Sequence, residues 1–237
     1  AIVEAKIDKG RGPVATVLVQ EGTLRLGDAI VAGPYHGKIR AMSDDKGKAV
    51  KEAPPSTPVE VLGLNGVPDA GDSLNVAADL EAAKQVAEHR TAKARETALG
   101  GGTPRKVSMD QMFAGSSGSK ELNVIVKADV QGSVQALSNA LERLSTEKVK
   151  VHVVSGSVGT ISESDVQLAV ASKAIIVGFN VKPDNRGREL SEQEHIDVRS
   201  YSIIYEALDE VKKSMVGLLD PILRESPLGK AEVRARF

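Results

Sequence analysis

Three features of the sequence predict a multidomain β plus α/β protein. The first third alternates short apolar runs with glycine and proline, a charged, alanine-rich stretch follows, and beyond residue 120 strand-period and helix-period segments take turns. The expected architecture is a small β-barrel at 1–78, a connecting helix and linker at 79–120, and an α/β/α sandwich with a mostly parallel four-stranded sheet at 121–202. A long helix at 203–220 and the truncated start of a further β domain at 221–237 complete it.

The barrel rests on the runs Ile2 to Ile7, Val14 to Gln20, Ala29 to Val31, Lys38 to Met42 and Val59 to Leu64. Turn residues separate them at short intervals, the pattern of a small barrel or sandwich. The chain opens at Ala1 in mid-strand without methionine, so a native N-terminus is expected upstream. Asp79 to Leu99 is rich in Ala, Glu, Lys and Arg, all strong helix formers. Asp79 is its expected cap and Gly100-Gly101-Gly102 its stop. With few large apolar residues it buries only a thin stripe, as either a solvated helix joining two domains or a dedicated binding helix would. Residues 100–120 read as linker, interrupted by one helix-start signal: Ser108 with Gln111, and Val107 with Met112 as a staple.

From Glu121 the pattern is that of alternating strands and helices. Leu122 to Val126 is a strand, and Val134, Leu137, Leu141 and Leu144 lie on one helix face. Val149, Val151 and Val153 alternate as a second strand, which turns His152 outward. Ser162 and Asp165 mark the next helix start, with Ile161 and Val166 as its staple. The apolar run Ala174 to Val181 suits a strand covered on both faces. A helix near Arg188 to Glu194 and a strand near Ile196 to Ser202 follow. Ile204, Leu208, Val211, Met215, Leu218 and Leu219 form the stripe of an amphipathic helix that Pro221 ends, with Asp209 and Lys213 paired four apart. Ala231 to Phe237 alternates like an isolated strand.

The chain has no cysteine, which excludes disulfides, thiol catalysis and thiolate zinc sites and fits a reducing cytoplasm. No apolar run approaches the roughly 20 residues of a membrane span. Net charge is -1, with 31 basic against 32 acidic residues, so any RNA contact must come from local patches rather than a global field. No P-loop string G-x-x-x-x-G-K-[ST] occurs. Glycine-bearing strand-to-helix segments do occur, at Asp129 to Ser133 and at Ser155 to Ser162 (SGSVGTIS); each is either an anion-binding helix start or a plain βα turn. His36, His89, His152 and His195 are scattered without metal spacing, and Asp44-Asp45 sits in a hairpin-tip composition. No nucleophile stands beside a base, so catalysis, a metal site and a bound cofactor are not expected. One local charge group stands out: Lys38, Arg40, Lys46, Lys48 and Lys51 against two acidic residues, with Lys6, Lys9 and Arg11 near the first turn. Such cations either guard strand edges against aggregation or contact the phosphates of structured RNA.

The string IDKGRGPVATVLVQEGTLRLGDAIVAG, Ile7 to Gly33, resembles the β-barrel second domain of translational GTPases such as elongation factor Tu. Gly10, Arg11 and Gly12 match that family's first turn, and Gly22, Leu24, Gly27 and Asp28 its second; the glycines suit tight turns with positive φ. VEVLGLNGVPDAGD (Val59 to Asp72), KELNVIVKADVQGSVQAL (Lys120 to Leu137), GTISESDVQLAVASKAIIVGFNVKP (Gly159 to Pro183) and SIIYEALDEVKKSMVGLL (Ser202 to Leu219) resemble, in order, segments of the second and third domains of bacterial translation initiation factor 2. EVRARF (Glu232 to Phe237) resembles the start of its fourth. The resemblance implies a translation-factor-type barrel docked on the small ribosomal subunit and its RNA, in a cytoplasmic, monomeric, membrane-free factor. Arg11, Lys38, Arg40, Lys46, Lys48 and Lys51 are the candidate RNA contacts and Gly10, Gly12, Gly22 and Gly27 the turn glycines. It also implies that GTP and Mg²⁺ belong to a GTPase domain outside this chain. Initiator tRNA would be gripped by a C-terminal domain outside it, and this chain would relay between the two. The competing expectation is a free-standing nucleotide- or anion-binding α/β protein using Ser155–Ser162.

Overall fold

The computed structural model describes residues 1–100 and 120–218. The Ser108–Gln111 cap signal, Leu219 and the strand expected at 231–237 lie outside them. In the first part, β1 (Ile2–Asp8), β2 (Gly12–Leu18), β4 (Ala29–Ala32), β5 (Tyr35–Ser43), β7 (Pro58–Leu64) and β8 (Leu74–Ala77) form one antiparallel sheet in the order β1-β2-β7-β5-β4-β8. The short strands β3 (Leu24–Arg25) and β6 (Glu52–Ala53) pair separately. Backbone bonds from Ile2 N–H to Asp72 C=O (2.8 Å) and from Gly71 N–H to Ile2 C=O (2.8 Å) draw the two ends of the sheet together, as a barrel requires. Its interior is aliphatic: Ile2, Val17, Ile30, Ile39, Met42, Val59 and Val61. The β5–β7 ladder is irregular, with a register shift between Gly37 and Ala41. A side chain on Gly37 would strike the Gly63 carbonyl and one on Gly63 (φ +129°) the Lys38 carbonyl, so only glycine fits this crossing.

Helix α1 (Leu80–Gly100) starts where predicted, Asp79 Oδ1 accepting the Ala82 N–H at 2.7 Å. Its first half is more than a connector. Ala83 and Ala87 are buried against Ala29 and Val31, which face outward from β4, and Arg90 donates to the Gly33 carbonyl at 3.2 Å.

The second part is an α/β/α sandwich. Four parallel strands, β9 (Lys120–Ala128), β10 (Val149–Val158), β11 (Ile175–Phe179) and β12 (Val198–Tyr201), lie in the order β10-β9-β11-β12. Helices α2 (Gln131–Glu142) and α5 (Ile204–Leu218) cover one face through Val134, Leu137, Leu141, Ala207, Val211 and Met215. Helices α3 (Glu163–Ser172) and α4 (Asn185–Gln193) cover the other through Val166, Ala169 and Leu190, with Ile161 just ahead of α3. The Ser162–Asp165 start signal is realised: the Asp165 carboxylate accepts the Ser162 N–H (2.8 Å) and Oγ–H (2.7 Å). One expectation on α5 is corrected. Lys212 and Lys213 reach back three residues, to Asp209 (3.3 Å) and Glu210 (3.2 Å), rather than pairing Asp209 with Lys213. Glu210 also binds Arg199 of β12.

The two parts touch at the carboxyl ends of the parallel strands. Lys6 of β1 forms an antiparallel bridge with Val130, just past β9. Gln131 Nε2 donates to Asp69 Oδ1 at 2.8 Å, and Val67 packs against both cores.

Candidate nucleic-acid interface

Five of the six predicted RNA-contacting side chains sit on one hairpin and its flank. Lys38 and Arg40, two apart on β5, are exposed on its outer face. Lys38 stands opposite Ala29, at the edge of the ground that α1 covers. Lys46 and Lys48 occupy the tip between β5 and β6, and Lys51 precedes β6. The turn before β4 ties these pieces together. Gly27 (φ +90°) donates its N–H to the Ile39 carbonyl at 3.0 Å, and the Leu26 N–H reaches the Lys51 carbonyl at 2.9 Å. A side chain at Gly27 would sit 3.9 Å from the Lys38 Cε, so the turn forms the floor beneath that lysine. None of the five side chains makes a hydrogen bond or ion pair among the described residues.

Arg11 differs. Its guanidinium binds Asp8 (3.2 Å) and reaches across to Glu60 of β7 (3.4 Å), which Lys6 also approaches at 3.7 Å. The Asp8 carboxyl is held below its ordinary range by the backbone N–H of Gly10 first and by Arg11 next. Arg11 is therefore neutralised by its neighbours, whereas the hairpin cations are not. The long-range Glu60 contact, 49 residues away in sequence, has no local signal that could have revealed it. Among the turn glycines, Gly12, Gly22 and Gly27 have positive φ, whereas Gly10 does not; its N–H instead bonds to Asp8 Oδ1 at 3.0 Å.

The segment Ser155 to Ser162, weighed above as either an anion-binding helix start or a plain βα turn, is half strand. Ser155 to Val158 belongs to β10, and Gly156 is required there because a Cβ would come within 2.8 Å of Val134 Cγ1 on α2. Only Gly159 to Ser162 connects β10 to α3, and the start of α3 already holds an anion, the Asp165 carboxylate. Burial raises the pKa of that carboxyl, but the Ser162 hydrogen bonds and the buried Lys127 ammonium outweigh it and keep the group below its ordinary value. Lys127 lies 3.1 Å from Asp165 and 2.9 Å from Ser157 Oγ. Open parallel sheets bind ligands beyond their strand ends where the strand order reverses, here between β9 and β11. That crevice is bridged by Asn180 Nδ2 donating to Asp129 Oδ2 at 3.3 Å. The barrel's β1 covers the adjoining ends of β9 and β10 through Val130 and through Ile7, which lies against Gly159.

A groove of about 730 Å³ lies between β8 and the end of β2, lined by Leu18, Gln20, Glu21, Thr23, Leu74 and Val76 among others. It holds a single carboxylate and no histidine, lysine or arginine, so its side chains offer no acid–base pair. Among the described residues no three His, Asp or Glu side chains gather as a metal site would require, and no helix is long and apolar enough to cross a membrane.

Comparison with known proteins adds to this geometry. Residues 1–77 match the profile of elongation factor G domain 2 and residues 102–212 that of translation-initiation factor 2. The chain is 55% identical over 238 residues to translation initiation factor IF-2 of Desulforamulus reducens, covering 100% of this chain and 24% of that protein. The IF-2 of Clostridium novyi is 54% identical, with 35% of its length matched, and that of Myxococcus xanthus 53%, with 22% matched. Among solved structures, GDP-bound aIF5B from Aeropyrum pernix superposes with a TM-score of 0.54 at 21% identity, over 91% of this chain and 36% of that one; it shares the fold. The chain thus spans about a quarter to a third of the length of these bacterial relatives. Matched end to end at that identity, with both profiles in order along it, the chain belongs to the translation initiation factor IF-2 family.

Proposed function

We propose that the chain is the ribosome-facing portion of an initiation factor, docking its barrel on RNA of the small ribosomal subunit through Lys38, Arg40, Lys46, Lys48 and Lys51. One observation carries the reading: five cations without internal partners, held on a single hairpin and its flank, in a member of this family. Arg11 is left out of the contact set because Asp8 and Glu60 already hold it. Lysine and arginine so presented would grip phosphates and orient the protein without reading sequence.

The chain itself catalyses nothing and carries no cofactor. GTP and magnesium belong to a separate nucleotide-binding domain, and initiator tRNA is engaged by another. The barrel, the sandwich and α5 relay between these during initiation and subunit joining, as a cytoplasmic monomer. Relay requires at least two arrangements whose balance nucleotide and ribosome shift differently.

The test is charge reversal. In the Lys46→Glu/Lys48→Glu chain, small-subunit binding measured by sedimentation should weaken and its salt dependence flatten, by roughly 0.7–0.9 in log–log slope for each phosphate the protein no longer neutralises. Unchanged affinity and slope would remove the assignment. The competing nucleotide-binding reading is favoured by no observation, since Asp165 already occupies the helix start it relies on; calorimetric titration with nucleotides should show no binding.

A further inference from the structure

We propose that Asp44 is a positioning residue for Lys46 and Lys48, so that a carboxylate inside the basic surface strengthens its hold on RNA instead of opposing it. The inference rests on the docking of this hairpin on RNA and deepens it.

The tip between β5 and β6 is built around this one side chain. Asp44 Oδ1 accepts from the backbone N–H of both Lys46 (3.0 Å) and Lys48 (2.8 Å). The Asp44 N–H donates to the Lys48 carbonyl at 2.9 Å, and the Asp44 carbonyl accepts from Gly47 at 3.0 Å. Gly47 stands at φ +74°, in the region that favours glycine, with open space where its Cβ would be. The amides of both lysines are thus tied down while their ammonium groups remain unpaired among the described residues. A tip ordered in advance does not have to be ordered on binding, which spares the complex that entropic cost.

The neighbouring residue supplies an internal control. Asp45 carries the same charge at nearly the same place, is exposed, and makes no hydrogen bond or ion pair among the described residues. Electrostatics alone treats the two residues alike, because deleting either removes a repulsive charge from a phosphate-binding surface. Geometry separates them: deleting Asp45 leaves the tip intact, and deleting Asp44 unties both lysine amides. The two effects of losing Asp44 therefore oppose each other, and the sign of the change reports which one wins.

The experiment titrates the full chain against purified small ribosomal subunits at several salt concentrations, with thermal melts to confirm that each variant folds. Asp45→Ala should bind as tightly as the parent or tighter. Asp44→Ala should bind about fivefold more weakly, although it makes the same change in charge. Asp44→Asn keeps the Oδ1 acceptor without the charge and should return to the parent's affinity or exceed it. Gly47→Ala alters no charge and should weaken binding through the turn alone; with Asp44→Asn it decides the matter if Asp44→Ala does not fold. Asp44→Ala tightening in step with Asp45→Ala, or Gly47→Ala binding like the parent, would overturn the positioning role. The Lys46→Glu/Lys48→Glu chain separates the two levels. If it binds normally, the docking reading itself fails; if it weakens while Asp44→Ala follows Asp45→Ala, only the positioning role fails.

Discussion

Replacing Lys127 by methionine tests the least exposed charge in the sandwich. The residue is 7% exposed on the central strand β9, and its ammonium lies 3.1 Å from Asp165, whose side chain is 15% exposed. Methionine keeps most of the volume and removes the charge, leaving Asp165 with only its two bonds from Ser162. Removing one partner of a buried pair costs about 3–5 kcal/mol, and the surviving Ser162 bonds argue for the lower end, about 3 kcal/mol. For a domain of this size each kcal/mol moves the midpoint by about 4–8 °C, so the sandwich transition in calorimetry should fall by at least about 10 °C. The barrel transition should not move. The pH dependence gives a second check. Asp165 has a lowered pKa in the folded state, so its contribution is complete above the ordinary carboxylate value near 4 and is lost as pH falls through the folded value. The variant has less of that contribution to lose, so the two stability curves should converge below about pH 4. A penalty under about 0.5 kcal/mol at neutral pH, or a gap that stays constant into acid, would refute the reasoning.

Two further substitutions probe the barrel and its junction with the sandwich. Gly63→Ala forces a methyl group against the Lys38 carbonyl at a φ of +129° and should destabilise the barrel by about 3 kcal/mol in thermal unfolding; a neutral outcome would mean that β5 and β7 do not cross as closely as described. The cysteine-free chain also permits a clean cross-link. Opposed residues of an antiparallel bridge have Cβ atoms about 4.5–5.5 Å apart, so Lys6→Cys/Val130→Cys should close a disulfide on mild oxidation. Two thiols that remain titratable would show that β1 does not rest on the end of β9.

Legibility followed how far each structural cause extends along the chain. Signals contained within a few residues were readable: the Asp79 cap, the Ser162–Asp165 start with its Ile161–Val166 staple, and the stripe Val211–Met215 on α5. His152 lies exposed between Val151 and Val153, as strand alternation demanded. Strands β3 and β6, of 2 residues each, are too short to show any period. Ser155 to Val158 looked like a loop because its glycine and serines mimic turn composition. Its glycine is there because α2 crosses closely, a cause that appears only in three dimensions. Lys127 gave no sign of its burial, since its partners Ser157 and Asp165 lie 30 and 38 residues away. The candidate interface shows the same division. The cluster of cations could be counted from the sequence, but which of them were already neutralised depended on Glu60, 49 residues further along the chain than Arg11.

The placement of the two contact regions constrains any relay through this chain. The hairpin cations belong to β5 and its flank, whereas the sandwich rests on β1 and on the loop after β7; in the sheet, β2 and β7 stand between β1 and β5. An RNA seated on the hairpin therefore leaves the junction free to stay engaged. Distorting the junction from the hairpin would mean shearing the sheet across ladders whose spacing at Gly37 and Gly63 leaves no room for a methyl group. Close-packed elements of this kind move as blocks more readily than they deform. Under the proposed docking and relay, ribosome binding would fix the barrel in space, and a change of state would reach the sandwich by rotating or releasing the β1–Val130 junction as a unit, with the Asp69–Gln131 bond and the shared Val67 contact broken or kept together.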